Sequence, residues 1–551
     1  MHTSLLRARP PVPAAHAAFR AFCLSIVVVV AGCGGDGGGS SDPEPPPPPS
    51  LDPQVRITGT SPFAAGCDGV LPTGTVYVNS EVEPHVAVHP SNPNHLVAAW
   101  QQDRWSDGAA RGTRSAVSFD GGRTWTASSA TFSRCTGGTQ ANGGDYQRAS
   151  DPWVAIGPDG TAYQIAIAVS GAAQTAGSVG AVLASRSGDG GRTWDTPVTL
   201  IRDEGLPFND KESITADPTT PGFAYAVWDR LDDDRGPILF ARTTDAGHSW
   251  EPARVIYDPG PNRQTLNAQL VVLPDGTLVA FMSRFVYAGP VLVANALVVL
   301  RSPDKGVTWS APITISAVQA RGATDPEAGT LIRDGANLGS IAAGRNGQLA
   351  VVWQDARFSG GQRDGIAFSR SLDGGLTWTT PVQLNRVPAV QSFLPTVHIR
   401  DDGTIGVSHF DLRSNTSAAS LLTDYWLLQT SDGVAWRETR IAATFDYTTA
   451  PFARGLFLGD YMGLVSMGTT FVPVYALANS GNVTDRTDVF ASLVSSAGTA
   501  AAAESVATTA GPPTEALPLD AELDAAFAAS VRRTLDRRRE LSTLRTVAPE
   551  R

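Results

Sequence analysis

Apolar and polar residues alternate along this chain in short runs, and the runs recur. In EPHVAVHPSNPNHLVAAWQQDR an alternating stretch leads through a Pro/Asn turn into a second, more apolar stretch. A period of two sends successive side chains to opposite faces, so the unit reads as a half-buried strand, a turn and a second strand. The same order returns in DPWVAIGPDGTAYQIAIAV, ESITADPTTPGFAYAVWDR, AQLVVLPDGTLVAFMSR, GSIAAGRNGQLAVVWQDAR and LPTVHIRDDGTIGVSHFDLR. A seventh, partial copy is GDYMGLVSMGTTFVPVYALANSG, with DVFASLV as its third strand. Residues 54–63 (QVRITGTSPF) supply a candidate closing strand, because pairing the first strand with the last copy removes the exposed sheet edges of a ring. The pattern predicts an all-β fold.

A second motif follows each of the first copies. SFDGGRTW ends at Trp125, SGDGGRTW at Trp194, TTDAGHSW at Trp250, SPDKGVTW at Trp309 and SLDGGLTW at Trp378. TSDGVAW, one residue shorter, ends at Trp436. Six of the 12 tryptophans therefore sit in one motif, at spacings of 69, 56, 59, 69 and 58, which excludes chance. Asp120, Asp189, Asp245, Asp304, Asp373 and Asp432 are placed to accept backbone N–H groups inside a tight turn. The Gly after each takes a backbone conformation other residues resist, and the Trp is expected to be buried under the hairpin.

This motif resembles the Asp-box, or BNR repeat, of sialidase-like β-propellers, over roughly residues 80–495. The resemblance implies four-stranded blades, seven favoured and six possible. It bears on fold more than on activity, since Asp-box turns lie on the outside, away from the central pocket.

The ends of the chain read differently. Arg7, Arg9 and Arg20 precede the apolar run AFCLSIVVVVAG, which is too short to span a bilayer and fits a signal segment over 1–32. It ends in Val30-Ala31-Gly32-Cys33, which resembles a bacterial lipobox with Cys33 as the lipidated residue. Residues 33–53 form a Gly/Pro-rich tether with almost nothing apolar to bury. The expected location is the cell envelope, with the chain anchored in the membrane through its N-terminal lipid. Cys67 and Cys135 remain as a pair, and an oxidising compartment favours a disulfide between them. Residues 496–516 are a low-complexity linker. Residues 517–547 read as an amphipathic helix, with Leu519, Leu523, Phe527, Val531 and Leu535 four apart.

Charge narrows the partners. The formal net charge is −11, and the leader removes three Arg and no acid, so broad nucleic-acid binding is not expected. Only Lys211 and Lys305 are lysines, the other 40 basic residues being Arg. Lone arginines therefore carry little weight.

In the family resembled, sialidases cleave terminal sialic acid with retention, using a Tyr nucleophile, an Asp acid/base and three Arg that grip a carboxylate. On that resemblance Asp151, in an Asp-Pro that opens the second copy, takes the place of the acid/base. Tyr461 in GDYMGL takes that of the nucleophile, and Arg104 and Arg284 take those of two grip arginines. The third is Arg357, Arg413 or Arg454, with Arg357 favoured. Two family groups are replaced: Glu83-Pro84-His85 stands where an Arg-Ile-Pro is expected, and Asn267 where an assisting Glu is expected.

Other readings remain open. Asp103-Arg104, Asp229-Arg230, Asp355 with Arg357 and Asp411 with Arg413 recur at one strand end, as inter-blade ion pairs would. Glu83, Asp151, Glu212 and Asp460 open their copies' first strands, and a ring of carboxylates there suits Ca²⁺. No zinc spacing, nucleotide-binding Gly loop or nucleophile elbow is present, and no cofactor is expected beyond that Ca²⁺. The functional classes left are an exo-acting glycoside hydrolase, a glycan- or protein-binding module with Trp105 and Trp153 exposed at its mouth, and a surface scaffold with a plugged channel.

Overall fold

The computed structural model describes residues 54–495 apart from 71–73, 206, 233 and 290. The leader, Cys33 with its tether, the linker 496–516 and the helix expected over 517–547 lie outside the described residues.

The described residues are all-β, with four three-residue 3-10 turns as their helical content. Seven antiparallel meanders follow one another, opening with the strands Val76–His89, Arg148–Ile156, Phe208–Ala216, Arg263–Val272, Ser340–Ala343, Ser392–Ile399 and Gly463–Met467. The first six have four consecutive strands each. The seventh takes its outer strand from the other end of the described chain, where Val55–Arg56 pairs with Phe490 and Ala491.

Packing between the meanders closes a circuit. Val97, Ala99 and Val117 of the first meet Val154, Ile156 and Ala162 of the second in one apolar cluster. Further clusters join the second to the third, the third to the fourth, and so on to the seventh. A last cluster joins the seventh back to the first, with Val465, Val472 and Val474 against Val86, Leu96 and Ala98. The middle strands are buried on both faces, which is why they read as nearly unbroken apolar runs. The seven opening strands together line one central cavity of about 330 Å³, so they stand innermost around a common axis.

The outer turns are built alike. The Asp120 carboxylate accepts the Arg123 and Thr124 amides at 3.0 and 2.9 Å and the Thr124 hydroxyl at 2.6 Å, while Ser118 Oγ donates to it at 2.8 Å. Asp189 repeats the set with Arg192, Thr193 and Ser187. Asp245, Asp304 and Asp373 receive the matching hydroxyl from Ser249, Thr308 and Thr377. In the shortened sixth motif Asp432 keeps two amide bonds, to Val434 and Ala435, with Ala435 where the others have a hydroxyl. The tryptophans correct one expectation: Trp125, Trp194, Trp250, Trp309 and Trp378 are half-buried, and only Trp436 is fully covered. Each ring seals the outer edge of an inter-meander core, and Trp125 and Trp309 donate Nε1 to a glycine carbonyl of their own turn. Cys67 and Cys135 form a disulfide that ties the first loop to the insertion after the first meander.

Candidate functional site

Five innermost strands carry the same irregularity. The ladder skips two residues at Glu83-Pro84, Asp151-Pro152, Lys211-Glu212, Asn267-Ala268 and Leu394-Pro395. The first residue of each pair has positive φ, between 50° and 68°, although none is glycine. Such backbone costs about 1–3 kcal/mol per residue and persists only where surrounding structure holds it. A β-bulge re-aims side chains, and here it brings side chains of several opening strands together at one end of the ring.

Lys211 is the hub of what gathers there. Its Nζ lies 2.7 Å from Asp151 Oδ2, 2.7 Å from Asp460 Oδ2 and 3.7 Å from Glu83 Oε1. Arg333 adds a second cation on Asp460, with Nη2 at 2.5 Å and Nε at 3.1 Å. Glu83 also contacts the Gln101 amide and accepts the Asp460 backbone N–H at 3.1 Å. Arg104 is buried and donates to Gln101 Oε1 at 2.6 Å. Tyr461 Oη donates to the Pro152 carbonyl at 3.0 Å, so Asp151 and Tyr461 come from different meanders to adjoining positions.

Burial and neighbours then sort the acids. Burial, helped by Asp151, pushes Glu83 up to about 8. Burial lifts Asp210 to about 6 and, together with Asp151, holds Glu212 far above the usual carboxylate range. Burial works the same way on Asp151 and Asp460, but Lys211 outweighs it for the first and Arg333 with Lys211 for the second, so both stay low. The acids therefore lean opposite ways, Glu83 and Glu212 toward the protonated form and Asp151 and Asp460 toward the ionised one. Burial and the surrounding acids hold the Tyr461 hydroxyl protonated, well above its ordinary range.

Two insertions cover the cluster. Ile332–Arg333 runs parallel to Leu456–Phe457, and the Phe457 ring lies between the Arg333 and Arg104 guanidinium carbons at 4.3 and 4.8 Å. The first insertion is fastened by buried carboxyls: Asp364 accepts the Arg321 and Gly322 amides, and Asp334 accepts that of Ala323. The central cavity adjoins the cluster at Asp460 and Tyr461. One wall is an aromatic stack, with His85 on Trp153 at 3.7 Å and Tyr461 edge-on to Trp153 at 5.2 Å.

The other residues singled out from the sequence lie elsewhere. Arg284 stands half-buried in the ladder between Thr265 and Ala296. Arg357 donates to Asp355 at 2.7 Å and Ser316 at 3.1 Å, and Arg413 pairs with Asp411 and Glu438 at 2.6 and 2.7 Å. Arg111, rather than Arg104, is the partner of Asp103, and Arg230 pairs with Asp203. Trp105 is buried, with Nε1 on Asp68 and the Arg148 guanidinium over its ring, so it offers no exposed platform. Sequence reasoning passed over Lys211, Arg333 and Asp210. Lys211 had one usable signal, as one of only two lysines in the chain. Arg333 lies in an insertion outside the repeat and had none.

No protein-family model and no curated protein matches the chain. Among solved structures it is similar to a Hadza microbial sialidase, at 19% identity over 60% of this chain and 63% of that one, with a TM-score of 0.38. The chain thus spans less than two thirds of that sialidase. It is also similar to the α-L-arabinofuranosidase Arb93A of Fusarium graminearum, at 12% identity over 81% and 98% of the two chains and a TM-score of 0.40. A Dyadobacter fermentans protein of unknown function matches at 15% identity over 77% and 96%, with a TM-score of 0.42. The ring described above stands on its own strand pairing and packing.

Proposed function

We propose that this chain is an exported, Cys33-anchored sialidase-like propeller of seven blades that hydrolyses terminal sugars of envelope or extracellular glycans. One observation carries the reading: Glu83 and Asp151 flank one ammonium, Lys211, with Tyr461, which lines the central cavity, bonded to the carbonyl next to Asp151; burial lifts Glu83 to about 8 while Lys211 holds Asp151 low. Glycoside hydrolysis asks for such a pair, one carboxyl to protonate the leaving oxygen and one group to stabilise or attack the anomeric carbon. In this reading Glu83 is the proton donor, Asp151 is the charged partner and Tyr461 flanks the bond to be cut. The grip on a substrate carboxylate is absent from the roles, because Arg104 is buried against Gln101 and Phe457 and Arg357 is held by Asp355. A neutral terminal sugar fits these groups better than sialic acid does.

The deciding measurement is turnover of fluorogenic sialosides beside neutral and uronic glycosides, by wild type, Glu83→Gln, Asp151→Asn and Tyr461→Phe. Hydrolysis of a neutral glycoside, reduced at least 100-fold in Glu83→Gln, is the expected result. A second reading is favoured by the ion pairs themselves: Lys211 and Arg333 neutralise Asp151 and Asp460, as a non-catalytic binding module, which needs no free carboxylate, would have it. No turnover on any glycoside, with retention on a glycan array, selects that reading. The anchor is tested separately by metabolic labelling with a palmitate analogue, which Cys33→Ser is expected to abolish.

A further inference from the structure

The joint between the two ends of the ring holds a group of acids that the central site does not use. Glu81 lies on the first innermost strand, Asp488 on the third strand of the last meander, and Asp485 on the turn before it. One carboxylate oxygen from each lies within 4.8 Å of the other two. The strands carrying them touch through a parallel bridge between Ser80 and Thr487, and Val55–Arg56 closes the same sheet.

Two of these carboxylates are incompletely bonded. Glu81 is 0% exposed, and while its Oε1 contacts the Gln102 amide, its Oε2 has no hydrogen-bond partner. Asp485 Oδ1 is likewise without one. Asp488 is fully engaged, with Thr58 Oγ1 and Arg56 on Oδ1 and Asn479 Nδ2 on Oδ2 at 2.7 Å. The neutralising cation, Arg56, is 43% exposed and pairs with Asp485 and Asp488 rather than Glu81. A buried carboxylate oxygen with nothing to bond is costly, and proteins rarely leave one so.

We propose that Glu81, Asp485 and Asp488 bind a calcium ion that fastens the first meander to the last. The donors are all hard oxygens, which exclude the softer transition metals. Two oxygens on one Ca²⁺, each about 2.4 Å from it, stand up to about 4.8 Å apart, whereas Mg²⁺ needs a tighter octahedral cage. The ion would take the free oxygens of Glu81 and Asp485 and share Asp488 with Arg56. Around Glu81 stand the acids Asp488, Asp103 and Asp485 and the bases Arg56 and Arg114.

The experiment uses the mature chain stripped with EGTA and titrated with calcium or magnesium by calorimetry, with thermal melts alongside. Expected are one calcium per chain, a Tm rise of several degrees, and at least tenfold weaker binding of magnesium. Asp485→Asn, on a partly exposed turn, is expected to fold and to weaken calcium at least tenfold, while Arg56→Gln tightens it by removing a competing charge. No heat and no Tm shift up to about 10 mM calcium overturns the proposal. So does calcium binding of undiminished strength in Asp485→Asn, or an Arg56→Gln variant that loses stability equally with and without calcium.

Discussion

The outer turns and the inner bulges are both repeated structures, and they repeat different things. At the rim the residues recur with the backbone: Asp120, Asp189, Asp245, Asp304 and Asp373 accept nearly the same bonds in five places. At the axis only the backbone recurs, and the left-handed position is filled by Glu83, Asp151, Lys211, Asn267 or Leu394. A residue kept in register with its turn is serving that turn. A strained backbone kept while its residue changes presents a different side chain to the centre each time, and the chemistry of the centre is assembled from those differences. Structure is thus repeated at the rim and individuality concentrated at the axis, on one fold.

The comparison is broken most severely at Lys211. Replacing it by Met keeps most of the aliphatic stem but strips Asp151 and Asp460 of their shared ammonium, leaving Arg333 paired with Asp460. Removing one partner of a buried ion pair costs about 3–5 kcal/mol, and Lys211 bridges two, so Lys211→Met is expected to cost at least the upper end of that range. Urea unfolding measures it, and a midpoint like that of wild type would mean the centre is far wetter than its packing implies.

Rim tryptophans come next and test whether equal motifs carry equal weight. Trp436 is fully covered and packs edge-on to Phe368 at 5.2 Å, so Trp436→Ala is expected to cost about 3–5 kcal/mol. Trp309 is half-buried, and its loss is expected to cost about half as much. Equal midpoints for the two variants would show that burial at the rim does not set the energy.

These regions were unequally legible in the sequence. The Asp-box turns and the strand order were readable because the same residues return at a near-constant spacing, and pairing of Val55 with Ala491 puts the closing strand inside the stretch singled out for it. At the centre, Glu83, Asp151, Glu212 and Asp460 were readable as strand-opening acids, and Asp151 and Tyr461 do adjoin. What was not readable is their ionisation, which depends on Lys211 arriving from another meander and Arg333 from an insertion, 60 and 127 residues away from the acids they hold. The arginine grip misled because it assigned a ligand role by position in a copy, whereas Arg357 and Arg413 each have an acid two residues away to bond. Trp105 misled for a similar reason: the first loop, carrying Asp68 and pinned by the disulfide, folds over it.

Acid–base behaviour separates the two regions by sign. An acid whose pKa is higher folded than unfolded stabilises fully below its unfolded value and loses that contribution as pH rises through the folded one. Glu83 at about 8, Asp364 at about 7 and Asp210 and Asp334 at about 6 are of this kind, all lifted first by burial. Stability is therefore expected to fall steadily from about pH 4.5 to pH 8, with Glu83→Gln flattening the upper part of the slope. Thermal melts across that range check it, and a stability maximum at pH 8 would contradict the buried, protonated state of these carboxyls.

The rim carries the opposite sign and the smallest effect. Asp189 is exposed, and although burial is the largest single influence and works against its charge, the bonds from Thr193, Ser187 and the Arg192 amide together hold it down to about 2. Its contribution is present above the unfolded value near 4 and is lost as pH falls through about 2. Asp189→Ala removes bonds to Arg192 and Thr193 at 3.0, 2.9 and 2.7 Å, but water replaces part of them, so a cost of about 0.5–1 kcal/mol is expected at neutral pH. Because the bonded form is the ionised one, the gap between wild type and Asp189→Ala is expected to narrow as pH is lowered from 4 toward 2. The same change at the shortened motif, Asp432→Ala, is expected to cost less, since Asp432 has two amide partners and Ala435 in place of the hydroxyl. If Asp432→Ala were the costlier of the two, the hydroxyl would not be what distinguishes the five full turns, and the rim would be less uniform than its sequence.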